Sequence, residues 1–131
     1  MFDPHCPEEV AAFEREVSNY KLVKDLQGYV VPRLLLYGEL DFTGAPFLAL
    51  SNEGKSLAHL DVVTEGHRDG MLEAFRKLHG AGFCHGDVRL ENVCCGNDGV
   101  VKILDLEELS LVTDDMVENI DREFEAVLDL L

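Results

Sequence analysis

The sequence predicts a single α+β domain, and three observations lead there. Apolar residues recur every three or four positions in three separate stretches, the signature of half-buried helices. Between the first two lie short runs rich in Val, Leu and Tyr, which favour strands. Near the middle of the second half, two β-type runs flank an Asp-Gly turn, a strong hairpin signal. The length, 131 residues, allows one hydrophobic core and not two.

In chain order, Pro7 to Leu26 reads as the first helix. Val10, Phe13, Val17 and Tyr20 share one face, Pro7 suits a first turn, and Glu8 and Glu9 suit the positive end of the helix dipole. Gly28 stops it. Val30 to Gly38 reads as a strand, with Pro32 marking a strand entry or an edge. Leu40 to Pro46, containing Gly44, reads as a hairpin-like connection into a second strand at Phe47 to Leu50. Leu57 to Val63 fits a short helix. Arg68 to His79 is a helix with its stripe on Met71, Leu72, Phe75 and Leu78, closed by Gly80 and Gly82. Val93–Cys95 and Val100–Leu104 flank Gly96-Asn97-Asp98-Gly99 as the hairpin, and Asp114 to Leu131 returns to helical spacing.

Composition bounds the function. The formal net charge of −15 repels phosphate, so neither nucleic acid nor an anionic membrane surface is an expected partner. Hydrophobic residues make up 47% of the chain, too many for a disordered acidic tail. No apolar run approaches the roughly 20 residues that span a bilayer. The N-terminus carries Asp3, Glu8 and Glu9 rather than a basic then apolar leader. The expectation is a cytoplasmic protein whose Cys6, Cys84, Cys94 and Cys95 are reduced thiols. A zinc site drawn from His5, Cys6, Cys84, His85, Cys94 and Cys95 is disfavoured, because no pair shows ligand spacing.

The chemistry concentrates in Leu78 to Glu108, LHGAGFCHGDVRLENVCCGNDGVVKILDLEE. A helix ends at glycine. A short loop then gathers His85, Asp87, Arg89 and Asn92, a hairpin follows, and Asp105 stands just past its second strand. Each residue alone is an ordinary turn or cap residue. Their order and spacing together are the signal.

This stretch resembles the protein-kinase-like superfamily, including its small-molecule phosphotransferase members of the aminoglycoside- and choline-kinase style. His85-Gly86-Asp87 with Asn92 five residues after the Asp matches the catalytic-loop pattern, and Asp105 stands at the metal-binding Asp. The wording "HGDVR" and "LQGYVVPRLLLYG" is similar to a fungal protein-kinase-like family, and the likeness runs from about Glu14 to about Glu125. The resemblance implies a truncated kinase-like fold: residues 1–53 a remnant of the N-lobe, with an αC-like helix, two strands and the hinge, and residues 54–131 a partial C-lobe with a terminal helix. It implies ATP and Mg²⁺ as cofactors. Asp87 would accept the proton of an attacking hydroxyl, Arg89 would place positive charge near the transferred group, and Asn92 and Asp105 would hold the metal with hard oxygens. His85 would brace the loop. Leu50, Ser51 and Asn52 would offer hinge backbone to the adenine, with Cys94 beneath the ring. The acceptor would be a hydroxyl on a protein or a small molecule.

The departures from the pattern are as plain. Only 15 residues precede Glu16, which stands at the ion-pairing Glu of the αC helix. They contain neither a glycine-rich loop nor a lysine, and without that lysine Glu16 has no evident role. The motif after Asp105 reads Leu106-Glu107, losing the glycine that permits a backbone flip. The sequence therefore points to a phosphotransferase whose activity is weak or lost. Its alternatives are a pseudokinase-like interaction module that binds a protein partner without turnover, and an acidic α+β binding protein unrelated to kinases.

Overall fold

The computed structural model describes residues 6–40 and 43–130. Helix α1 (Pro7–Leu22) has Pro7 in its first turn with Glu8 and Glu9, and buries Val17 and Tyr20. It ends four residues earlier than the apolar spacing suggests. Val23 leaves helical geometry and drops into the core, and Lys24–Leu26 form a tighter 3₁₀ turn. Val30 and Val31 are not strand residues. Both amides return to the Leu26 carbonyl in a buried turn, at 2.9 and 3.2 Å. Gly28, at φ +84°, makes that turn possible. Strand β1 (Leu34–Glu39) therefore begins only after Pro32.

β1 pairs antiparallel with β2 (Pro46–Leu50), from Leu34 opposite Leu50 to Glu39 opposite Pro46, with an irregularity at Leu35. The connection is a hairpin closed by Leu40 N donating to Ala45 O at 2.8 Å. Residues 41 and 42 within the anticipated connection lie outside the described residues, as do Asp3, His5 and Leu131. Leu35, Leu36 and Tyr37 leave an apolar run of β1 exposed.

Strand β3 (Lys55–Ser56) leads into a single 3₁₀ turn at Leu57–His59, shorter than the helix expected to Val63. Helix α2 (Glu65–Gly80) starts three residues before the expected Arg68. Thr64 Oγ1 accepts from His67 N at 3.2 Å and His67 Nδ1 accepts from Thr64 N at 3.0 Å, a capping box built with a histidine. Strand β4 (Phe83–Cys84) enters the loop that carries His85, Asp87, Arg89 and Asn92. The Asp-Gly hairpin is formed by β5 (Val93–Cys95) and β6 (Val101–Ile103), and β3 joins it as β3-β5-β6. Strand β7 (Ser110–Leu111) pairs back on β4, and helix α3 (Val117–Asp129) follows a 3₁₀ turn at Asp114–Met116.

One core unites these elements. Tyr20 comes from α1, Met71, Phe75 and Leu78 from α2, Ile103 from β6, and Leu106 from just past the hairpin. At Leu57, Val93 and Leu106, the apolar residues beside each polar loop position are fully buried, so the loops are fastened to the core at short intervals. Among the described residues no helix is long and apolar enough to cross a membrane.

Candidate functional site

The loop between β4 and β5 is held from inside by a histidine. His85 is fully buried. Its Nε2 bonds to Leu104 O at 2.7 Å, and its Nδ1 accepts the Asp87 amide at 3.2 Å. One ring nitrogen donates while the other accepts, which selects the neutral tautomer. These bonds fasten the loop to Leu104 at the end of the second hairpin strand. Gly86, at φ +91°, passes so close to Glu108 that an added Cβ would lie 2.6 Å from its carbonyl oxygen, so only glycine fits.

Asp87, Arg89 and Asn92 converge. The Arg89 guanidinium donates to Asp87 Oδ2 at 2.8 Å. Asn92 Nδ2 donates to Asp87 O at 2.9 Å and to Oδ2 at 3.2 Å. The Arg89 hydrogen bond holds the Asp87 carboxyl below its ordinary range. With Nδ2 spent on Asp87, the oxygen of the Asn92 amide is left for another partner.

Asp105 is delivered by β6. Leu104 N donates to Asn92 O at 2.7 Å, tying the strand end to the loop. Asp105 itself adopts φ +57°, the one non-glycine residue at positive φ among the described residues. That left-handed geometry costs roughly 1–2 kcal/mol and is held in place by its neighbours. The charges of Arg89 and Glu16 both reach Asp105. Glu16 is held above the ordinary carboxyl range, first by burial and then by the Asp105 charge, with the Leu106 backbone working against them.

At the hinge, Ser51 N donates to Arg33 O and Ser51 Oγ donates to Glu53 Oε1 at 2.7 Å. The Ser51 amide is therefore committed within the chain, while Leu50 ends β2 and Asn52 Oδ1 accepts Gly54 N. Cys94 lies in the hairpin, 1% exposed, and burial raises its thiol to about 11.

Three features escape sequence reasoning. The first is Glu123 on α3. Its Oε1 accepts His85 N at 2.7 Å and contacts His79 Nε2 at 2.8 Å, and its Oε2 accepts Gly86 N at 2.8 Å. Burial pushes its proton affinity up, but these hydrogen bonds outweigh it and the carboxyl sits below its ordinary range. The second is a buried ion pair, Lys102 Nζ to Glu53 Oε2 at 2.7 Å, joining β6 to the hinge. Beside it, a Cβ on Gly54 would lie 2.1 Å from Cys95 O. The third is Tyr20, whose hydroxyl is buried without a hydrogen-bond partner.

All four cysteines are free thiols. Of the residues weighed for zinc, Cys84 joins His79 and Glu123 with ligand atoms within 4.8 Å of one another, the one such cluster among the described residues. Glu123 already receives three donors there, and burial raises the Cys84 thiol to about 11, which suits a hydrogen-bonded anchor better than a thiolate ligand.

An α1 helix beside a β hairpin, a hinge, then a polar loop and hairpin delivering an Asp define a kinase-like fold. Comparison with solved structures agrees. The bifunctional kinase-methyltransferase WbdD matches with a TM-score of 0.65 and 20% identity over 96% of this chain and 31% of that one. A structure of monomeric WbdD matches at 0.64 and 21%, and WbdD with the kinase inhibitor LY294002 at 0.62 and 21%. The chain thus spans about a third of the length of these neighbours. No protein-family model and no curated protein matches the sequence.

Proposed function

We propose that this chain is a kinase-like phosphotransferase domain that moves the γ-phosphate of ATP to a hydroxyl, slowly. The observation that carries the reading is the hydrogen-bonded set Asp87–Arg89–Asn92 tied through Leu104 to Asp105. The donor chemistry fits a magnesium ion: a carboxylate and an amide oxygen are hard ligands, and an unpartnered buried hydroxyl stands nearby at Tyr20. Bound Mg²⁺ would neutralise charge on the phosphates.

The chain's own residues do the rest. Asp87, ionised beside Arg89, orients the acceptor hydroxyl and takes its proton. Asn92 fixes the Asp87 carboxylate through Nδ2, and its amide oxygen, with Asp105, would hold the ion. Arg89 adds positive charge next to the reacting group. His85 keeps Asp87 in register through Asp87 N. The acceptor is a protein or small-molecule hydroxyl, and the setting is cytoplasmic.

Calorimetry of ATP with Mg²⁺ tests the reading, with Asp105→Ala as control. Affinity is expected near millimolar, roughly 4 kcal/mol short of micromolar. Tight binding of ATP without metal would overturn it. In turnover assays Asp87→Ala should cut the rate by about 10²–10⁴-fold. No turnover with any acceptor, with partner binding intact in Asp87→Ala, would establish the pseudokinase alternative instead.

A further inference from the structure

Glu16, half-buried on α1, forms no ion pair among the described residues. Its carboxyl is held above the ordinary range, first by burial and then by the Asp105 charge, against the Leu106 backbone. The two cannot easily part. Asn19 Nδ2 donates to Leu106 O at 2.7 Å, and Arg15 pairs with Glu107 at 3.3 Å, so α1 is fastened on both sides of Glu16 to the segment that carries Asp105. Two carboxylates held together in a half-buried place repel each other.

A second observation concerns hydrogen bonding. One helical turn past Glu16, on the same face, Tyr20 is 0% exposed and its hydroxyl lacks a partner. Burial first, then the charges of Glu16 and Asp105, make that hydroxyl hold its proton more tightly. A buried hydroxyl left unmet costs about 1–3 kcal/mol. Arg89, the nearby cation, is already spent on Asp87. A hydrated divalent cation relieves both defects at once. It neutralises the two carboxylates, and its water reaches the tyrosine.

We propose that Glu16 is a metal ligand, joining Asp105 and Asn92 around Mg²⁺, with the Tyr20 hydroxyl meeting a water of the ion's shell. This rests on the phosphotransferase reading for Asp105 and Asn92 and extends it to α1. Two protein oxygens leave a shell that nucleotide must complete, whereas three with water hold the ion before ATP arrives.

The test is titration of the full chain with Mn²⁺, without nucleotide, reading free Mn²⁺ by electron paramagnetic resonance. Wild type should bind one ion. Glu16→Gln should weaken that binding about tenfold or more, and Tyr20→Phe by a few fold, the tenfold step corresponding to about 1.4 kcal/mol. Thermal melts check folding. Glu16→Gln should melt no lower than wild type without metal, since it removes a repulsion, and should lose the rise in Tm that Mg²⁺ brings. Nucleotide-free wild type that binds no Mn²⁺, or Glu16→Gln that binds like wild type, overturns the proposal. Its failure is separable from that of the parent reading. ATP–Mg²⁺ binding lost in Asp105→Ala, with Glu16→Gln unchanged, sinks only the Glu16 ligand. A Glu16-dependent ion in a chain that binds no ATP–Mg²⁺ supports the ion site and removes the phosphotransferase.

Discussion

Two glutamates flank the β4–β5 loop in opposite states. Glu123, from α3, receives two backbone amides and His79, and its carboxyl is held below the ordinary range. Glu16, from α1, is held above it, first by burial and then by the Asp105 charge. Neither is freely solvated, so exposure does not separate them. The donors do. A carboxylate whose lone pairs are filled by the chain is part of the scaffold. One left without a positive partner is where an external charge belongs.

Substitutions sharpen that contrast, the largest first. Glu123→Ala strands two amides and a histidine in the interior and should cost about 3–5 kcal/mol, seen as a fall in Tm of about 10 °C or more. Glu16→Gln should change Tm little or raise it, and an equal loss at both sites would erase the distinction. Lys102→Ala leaves Glu53 charged beside the hinge and should cost about 3 kcal/mol by urea denaturation, while replacing both partners with Met should recover most of that.

The pH dependence is smaller and has a definite sign. The Glu123 carboxyl lies below its ordinary value of 4.5, so its contribution is complete above that pH and is lost as pH falls through its folded value. The gap in Tm between wild type and Glu123→Gln should therefore narrow below pH 4.5. A gap that widens would place Glu123 with Glu16. The smallest effect is on a thiol. With its proton held to about 11 by burial and the Glu123 charge, Cys84 should react with iodoacetamide at pH 8 far more slowly than a free cysteine, and purified protein should carry no stoichiometric zinc.

The sequence made the loop more legible than the fastenings around it. His85, Asp87, Arg89 and Asn92 sit within eight positions, and local spacing was enough to gather them. The three helices announced themselves by apolar stripes, and the Asp-Gly hairpin by its turn. Glu123 did not. It is one acid among Asp121 and Glu125 on an amphipathic helix, and only the folded chain brings it to residues 38 positions away. Lys102 is the polar member of the β6 strand, yet it is buried against Glu53, 49 residues earlier. A mid-strand lysine in a fully buried hairpin strand was the available hint. Val30 and Val31 misled for a related reason. Their β-branched character predicts burial as much as extension, and here burial in a turn prevailed.

The crossing at Gly54 has a mechanical consequence. Its φ of +91° and its close approach to Cys95 O bind the segment after β2 tightly to the β5–β6 hairpin, and the Lys102–Glu53 bond sits one residue away. Any rotation of the β1–β2 arm about this crossing would be passed from Glu53 to Lys102, which stands on the strand that leads to Asp105. The arm would then act as a lever with its fulcrum at a glycine, and its load would be the carboxylate just past β6.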